Sequence, residues 1–140
     1  PVKKELDRID KILELCKTDP INLSGKLTLK HLAYLSSKAK LFFGVDTAPM
    51  HMAAATNTPV VTLFGASYPV IWGPWNNKSD KELFKDEDAI QANGLHHMVC
   101  NMNHEIFYEN KVKKSKGMSS IQLQQALDVL DAELYSNPTS

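Results

Sequence analysis

Residues 40–65 read KLFFGVDTAPMHMAAATNTPVVTLFG, and this stretch decides the fold. Its first apolar run, residues 41–45, predicts a strand covered on both faces, as in a parallel sheet. Pro49 suits the first turn of a helix, so a helix of small residues is predicted over residues 50–55. Residues 60–64 have the pattern of a second buried strand. The stretch is therefore predicted to form a βαβ unit.

Three polar side chains follow the first predicted strand: Asp46, Thr47 and His51. Open α/β sheets bind ligands at the carboxyl ends of their strands, and the free N–H groups at a helix start attract anionic oxygen. Asp46 would repel a phosphate, but its carboxylate would accept hydrogen bonds from adjacent sugar hydroxyls. The cluster thus predicts a diphosphate near the helix start and a sugar near Asp46. The alternative is that Asp46 or Thr47 only caps the helix and that His51 is a satisfied core residue.

The same residues carry a resemblance to a known family. Residues 46–51, Asp-Thr-Ala-Pro-Met-His, are followed by an alanine-rich helix, a strand led by Pro59 and the turn Phe64-Gly65-Ala66. This series resembles the ADP-heptose:lipopolysaccharide heptosyltransferases, the family-9 glycosyltransferases of GT-B fold. The resemblance covers about residues 1–85 and returns weakly in the last helix. Residues 72–75, Trp-Gly-Pro-Trp, look most like the subgroup that adds the third, branching heptose.

Composition sets the outer limits. With 43% hydrophobic and 23% charged residues, the 140-residue chain is typical of a soluble globular protein and of one domain. Its 16 basic and 16 acidic residues cancel, so no general field attracts nucleic acid. Cys16 and Cys100 lie far apart, which fits a reducing compartment rather than a disulfide framework. The sequence has no signal peptide and no apolar run long enough to span a membrane.

The pattern and the resemblance together predict an α/β domain, a Rossmann-like three-layer arrangement with a mainly parallel sheet. Because the chain begins with Pro1, we interpret it as part of a longer protein. The resemblance makes residues 1–140 the nucleotide-sugar (donor) binding domain, the carboxyl-terminal half of a two-domain GT-B enzyme. The missing N-terminal domain would hold the acceptor, the general base and a phosphate-binding lysine, so the fragment alone is expected to be inactive.

The nucleotide end of the site is predicted mainly through the resemblance. Residues 2–17 have helical periodicity, and in the family an acidic residue near the start of this helix holds the ribose. Glu5 is the nearest match, although it stands among lysines and could be a solvated charge. Thr28 suits the cap of a helix over residues 29–38. The family places the backbone before that helix against adenine, which makes Lys26, Leu27 and Thr28 candidates through their main-chain groups.

The loop after the second strand adds further candidates. Gly65 allows close backbone approach, and Ala66 and Ser67 offer amides to a phosphate or a sugar. Residues 65–75 are predicted to form an ordered loop. The rings of Trp72 and Trp75 could pack on carbohydrate, or they could simply bury the loop on the domain.

Three potential metal ligands, His96, Cys100 and His104, stand at four-residue intervals. Turn-forming residues between them argue against the helix that such a site would need, so no metal is predicted. Residues 110–116 are basic and are predicted to be a solvated loop, with contact to the phosphorylated inner core or the membrane face as the alternative. A last helix is predicted to open at Ser119 or Ser120 and to bury four leucines: Leu123, Leu127, Leu130 and Leu134.

The resemblance implies transfer of heptose from ADP-heptose to a heptose of the lipopolysaccharide inner core, without a bound metal or other cofactor. Asp46 would bind sugar hydroxyls, the amides of Thr47 and Ala48 would contact the diphosphate, and His51 would orient Asp46 or reach a phosphate oxygen. The expected location is the cytoplasm of a Gram-negative bacterium, with peripheral contact to the inner membrane. Three alternatives remain: a non-catalytic nucleotide-sugar-binding module, a related transferase for another sugar, and a structural interaction domain.

Overall fold

The computed structural model describes residues 3–78 and 83–135, so the predicted tail from residue 136 lies outside the described residues. Contacts divide the chain into two compact units, residues 1–32 and 33–140, which are described separately. The first unit contains helix α1 (Lys3–Leu15). Helix α2 (Leu29–Lys38) begins in the first unit and ends in the second. The Thr28 hydroxyl oxygen accepts a hydrogen bond from the His31 N–H at 3.2 Å, which confirms the predicted cap.

The second unit is built on a four-stranded sheet in the order β1-β2-β4-β3. Strands β1, β2 and β4 are parallel, whereas β3 is antiparallel to β4. The strands are β1 (Phe42–Val45), β2 (Val60–Phe64), β3 (Ile90–Asn93) and β4 (His96–Cys100). Helix α3 (Ala48–Ala55) connects β1 to β2. The βαβ unit and the mainly parallel α/β sheet are confirmed, and the Rossmann-like layering stays a prediction.

Strand β1 differs from its prediction in burial. Phe43 and Val45 are 49% and 41% exposed, so the expectation that both faces are covered is wrong for β1. This strand lies at the edge of the sheet, and its side chains alternate between a packed face and an open one. Strand β2 lies between β1 and β4 and is buried at four of its five residues, as predicted.

The core forms on both faces of β2 and β4. Met50, Ala53 and Ala54 of α3 pack with Val60 and Met98 on one face. Val61 and Val99 pack with Val129 of helix α6 (Leu123–Tyr135) on the other. Alternate residues of each strand therefore point to different helices, as the two-residue period of a strand requires. Among the described residues, no helix is both long and apolar enough to cross a bilayer.

The carboxyl-terminal third departs most from the predictions. The prediction of a solvated loop over residues 110–116 is wrong. These residues form the turn and the second strand of a hairpin, and then the start of a helix. The elements are β5 (Ile106–Glu109), β6 (Val112–Ser115) and helix α5 (Lys116–Ser120), and a further short helix, α4 (Pro69–Trp72), lies in the loop predicted over residues 65–75.

The predicted last helix is also displaced. Ser115 caps α5 by accepting a hydrogen bond from the Met118 N–H at 3.2 Å, and α6 starts only at Leu123. The predicted leucine stripe is right for Leu130, which packs against the core, and wrong for Leu123, which is 74% exposed; the buried residues are Ala126 and Val129. The face of α6 that meets the sheet therefore consists of Ala126, Val129 and Leu130.

Candidate functional site

The candidate site lies at the carboxyl edge of the parallel strands. Residues 46–48 follow β1 and residues 65–67 follow β2. Because Val45 is in register with Leu63, the two segments leave the sheet side by side. The segment after β4 joins them, since the Asn101 N–H donates to the Phe64 carbonyl at 2.9 Å. The structure thus brings together the predicted residues that follow the first two strands.

Asp46 and His51 form a pair at this edge. His51 Nε2 lies 3.4 Å from Asp46 Oδ1, and the two side chains are 40% and 21% exposed, respectively. His51 stands one turn into α3, so the helix directs its ring back toward the carboxylate that precedes it. The alternative that His51 is a core residue is wrong, because its side chain is 40% exposed.

Thr47 occupies the N-cap position of α3, with φ of −152° and ψ of 164°, but its side chain makes no capping hydrogen bond. Its hydroxyl instead donates to the Val45 carbonyl at 3.2 Å. The first N–H groups of a helix have no intrahelical partner, so the amide of Ala48 is left for another acceptor. This amide and the positive end of the helix dipole make the start of α3 suitable for an anionic oxygen.

Gly65 is buried, and its neighbour is the backbone of α5. A Cβ at Gly65 would lie 2.1 Å from Met118 N and 2.5 Å from Met118 Cα. The Ser115 hydroxyl also donates to the Gly65 carbonyl. The space that a side chain at Gly65 would fill is therefore occupied by the backbone of α5. Ala66 is exposed and is the accessible member of the predicted pair.

The four predicted nucleotide-binding residues lie in the first unit. Glu5 is an exposed residue in the first turn of α1. The Lys26 N–H already donates to the Leu23 carbonyl at 3.1 Å, and its side chain donates to the Asn22 carbonyl at 2.9 Å. The Leu27 and Thr28 backbone, just before α2, is where a main-chain contact to a base would have to be made.

The sequence analysis gave no role in the donor site to the residues that lie at the carboxyl edge after β4. Asn103 accepts the Glu105 N–H through its side chain at 3.0 Å and the Gly117 N–H through its carbonyl at 2.9 Å. The ring of His104 stacks on Tyr68, with centroids 4.5 Å apart. The spacing of Asn101 and Asn103 is the available signal, because asparagine at alternate positions favours consecutive turns around its own backbone.

His96, Cys100 and His104, which the sequence analysis considered as metal ligands and did not propose, lie in or next to strand β4. His96 starts β4 and Cys100 ends it, and the described part of the chain contains no group of three or more His, Cys, Asp or Glu side chains that could hold a metal ion. Burial lowers the pKa of His96 and raises the pKa of Cys100 to about 11. His96 is therefore neutral and Cys100 is a protonated thiol near pH 7, as expected of residues that belong to the core.

Comparison with known proteins gives consistent results. A family model described as "Glycosyltransferase family 9 (heptosyltransferase)" matches residues 1–101. The chain is 46% identical over 78 residues to "Lipopolysaccharide heptosyltransferase 3" of Escherichia coli, a match that covers 55% of this chain and 23% of the relative. It is 32% identical over 127 residues to "Lipopolysaccharide core heptosyltransferase OpsX" of Haemophilus influenzae, covering 91% and 35% respectively. No solved structure matches with statistical significance. The chain spans roughly a quarter to a third of the length of these two curated relatives.

Proposed function

This chain belongs to glycosyltransferase family 9, and on that basis we propose that it supplies the donor site of a heptosyltransferase. The reaction is transfer of heptose from ADP-heptose to a heptose of the lipopolysaccharide inner core. The names of the two relatives support this reaction class. The observation that carries the proposal is the accessible Asp46–His51 pair beside the uncapped start of α3.

Asp46 binds the sugar in this proposal. A carboxylate accepts hydrogen bonds from two adjacent hydroxyls, and His51 at 3.4 Å fixes the orientation of that carboxylate. The donor diphosphate lies at the helix start, where the amides of Thr47 and Ala48 and the helix dipole oppose its negative charge. These amides also stabilise the charge that develops on ADP as it leaves, which is where they lower the barrier.

The nucleotide part of the donor is proposed to bind residues of the first unit. The Lys26-Leu27-Thr28 backbone contacts adenine, and Glu5 holds the ribose hydroxyls. Ala66, the accessible residue of the neighbouring loop, adds a main-chain contact. The proposal uses no metal ion or cofactor, because donor recognition rests on a carboxylate and on backbone amides.

The remaining parts of the reaction are proposed to lie outside these 140 residues. Transfer needs a general base to remove the proton from the acceptor hydroxyl, and a cation to bind the diphosphate. Both are proposed to come from an N-terminal domain, which also holds the acceptor, in keeping with the small share of each relative that this chain spans. The enzyme is proposed to act in the cytoplasm, peripherally at the inner membrane.

The test is a calorimetric titration of the chain with ADP, GDP, UDP and ADP-heptose. We expect selective binding of ADP and a further gain in affinity with ADP-heptose. Asp46→Asn should remove that gain and leave ADP binding intact, because the sugar contacts the carboxylate. His51→Ala should reduce the gain only partly.

Protein stability provides the control for this titration. The Asp46–His51 pair is partly exposed, and such pairs contribute about 0–1 kcal/mol, so both variants should keep nearly the wild-type free energy of unfolding. Equal affinities for ADP-heptose in Asp46→Asn and the wild type would remove Asp46 from the sugar site. Equal affinities for ADP, GDP and UDP would contradict the proposed donor.

A further inference from the structure

An apolar surface around Trp75 is not used by the proposed donor site. The side chain of Trp75 is 60% exposed, and Ile71 and Leu83 are 67% and 60% exposed. These residues and Val70 line one pocket of about 90 Å³, and we call them the Trp75 surface. Exposed apolar groups collected in one place on a protein surface mark a binding site.

The Trp75 surface is held rigidly from behind. Phe84 is buried against Gly73, where a Cβ would lie 2.5 Å from the Phe84 ring. The Val70 N–H donates to Asp86 Oδ1 at 3.0 Å, which ties the start of α4 to the segment that follows Phe84. A ligand would therefore meet a surface that is already ordered, which keeps the entropic cost of binding low.

Fixed amides line the same pocket. Asn76 Nδ2 donates to Asn93 Oδ1 at 2.8 Å, and Asn76 Oδ1 accepts the Lys78 N–H at 2.9 Å. These bonds hold both amides in one orientation, and the NH₂ group of Asn76 carries a second hydrogen. A mostly apolar pocket with a few oriented polar groups has the composition of a small-molecule site.

The charged residues beside the pocket favour a neutral ligand over an anionic one. The described charged residues beside the pocket are Lys78, next to Asn76, and residues 85–88, Lys-Asp-Glu-Asp, which together carry two basic and three acidic side chains. This local excess of negative charge repels phosphates and anionic lipid headgroups. Carboxylates and amides accept hydrogen bonds from hydroxyl groups, and an indole face packs against the C–H groups of a sugar ring. A neutral, polyhydroxylated ligand fits this combination.

We propose that the Trp75 surface binds a neutral sugar residue of a saccharide, with the sugar ring stacked on Trp75 and one ring substituent in the pocket. The pocket is well below the roughly 300–1,000 Å³ of sites that enclose a whole ligand, so the ring itself stays outside. That the saccharide belongs to the acceptor rests on the proposed function, whereas the binding itself does not.

The test uses the fact that the chain has two tryptophans. Trp72 is half exposed but does not line the pocket, so Trp72→Phe leaves Trp75 as the single indole. This variant is titrated with methyl mannoside, with mannose 6-phosphate and with phosphatidylglycerol vesicles, while indole fluorescence and the indole N–H resonance are followed. We expect a saturable shift with the neutral glycoside, at least about threefold weaker binding of the phosphorylated sugar, and no response to vesicles.

A matched pair of variants locates the binding. Trp75→Ala should weaken glycoside binding about three- to tenfold, as loss of an aromatic contact does, whereas Trp72→Ala should leave it unchanged. Both side chains are largely exposed, so circular dichroism should confirm that both variants fold. The proposal is overturned if the neutral glycoside gives no saturable shift, if both alanine variants lose affinity equally, or if the phosphorylated sugar or the vesicles bind more tightly. ADP titrated in parallel separates this outcome from failure of the proposed donor site.

Discussion

Asp46 and His51, which we propose bind the donor sugar, lie outside the hydrophobic core. Their pair is partly exposed, and neither side chain belongs to the two hydrophobic clusters of the second unit. The buried side chains, in contrast, belong to the packed core, so substituting them should change stability. The effects of substitutions on affinity and on stability should therefore separate by residue.

His96 makes folding sensitive to acid. Burial lowers its pKa, whereas an unfolded histidine titrates near 6.5. Because the unfolded state binds the proton more readily, the contribution of His96 is complete above about pH 6.5 and is lost as the pH falls toward the lower, folded pKa. We expect the free energy of unfolding in urea to decrease by up to about 1.4 kcal/mol per pH unit in this range.

Two histidine variants test the origin of this acid sensitivity. His96→Gln should reduce the pH dependence, whereas His31→Gln, at an exposed position in the first unit, should leave it unchanged. A pH profile that is the same in His96→Gln and the wild type would contradict the assignment.

Gly65 should tolerate no side chain. A Cβ there would meet the backbone of Met118 at 2.1 Å, and backbone of a packed helix cannot move aside cheaply. Gly65→Ala should lower the free energy of unfolding by roughly 1–3 kcal/mol, measured in urea. The control is Gly44→Ala, where the Cβ would meet a Phe42 ring atom at 2.8 Å and the side chain can rotate away. Equal losses in the two variants would show that the contact with α5 is not the cause.

The β5–β6 hairpin is strained at its turn. Glu109 pairs with Val112, so the loop is only Asn110 and Lys111, with φ of 51° and 61°. Both values are those of a type I′ turn, which strongly favours glycine at its second position. Lys111→Gly should therefore raise the free energy of unfolding by up to about 1 kcal/mol, as judged by thermal unfolding.

The same substitution inside a strand is the matched control for the turn. Lys113→Gly in β6 should lower stability, because glycine weakens the interior of a strand. If both variants changed the melting temperature in the same direction, turn strain would not explain the result.

Some helices and strands could be predicted from their own residues, and others could not. The βαβ unit was predictable because two apolar runs flank a helix with Pro49 at its start, all within 26 residues of sequence. The hairpin was missed, since Asn110-Lys111 lacks the glycine that usually marks such a turn. The burial of α6 was predicted on four leucines, but it is found on Ala126 and Val129 with Leu130 beside them, because the packed face depends on contacts with the distant strands β2 and β4.

The candidate site likewise has features that the local sequence predicts and features that it does not. The proximity of Asp46 and His51 was predictable from local sequence, since Asp46 directly follows β1 and His51 lies one turn into α3. The surroundings of Gly65 were not, because its partner Ser115 is 50 residues away. Pairings across such distances, including the order β1-β2-β4-β3, depend on the assembled molecule.

At the level of the whole chain, the second unit has a core of its own. Every residue of the two hydrophobic clusters lies between Leu41 and Leu130. A chain that begins at Gly25 keeps α2 and its Thr28 cap, and it should unfold cooperatively with a near-ultraviolet circular dichroism spectrum close to that of the intact chain. A broad, non-cooperative transition would show instead that the second unit cannot fold without residues 1–24.

The position of β2 has a consequence for synthesis. This strand pairs with β1 on one side and with β4 on the other, and β4 is complete only at Cys100. While the ribosome makes the intervening residues, β2 has an open edge of unpaired N–H and C=O groups and a bare hydrophobic face. The nascent chain therefore passes through an interval in which its most apolar strand is open to self-association, and translation speed or a chaperone acting before residue 100 should govern the yield of native protein.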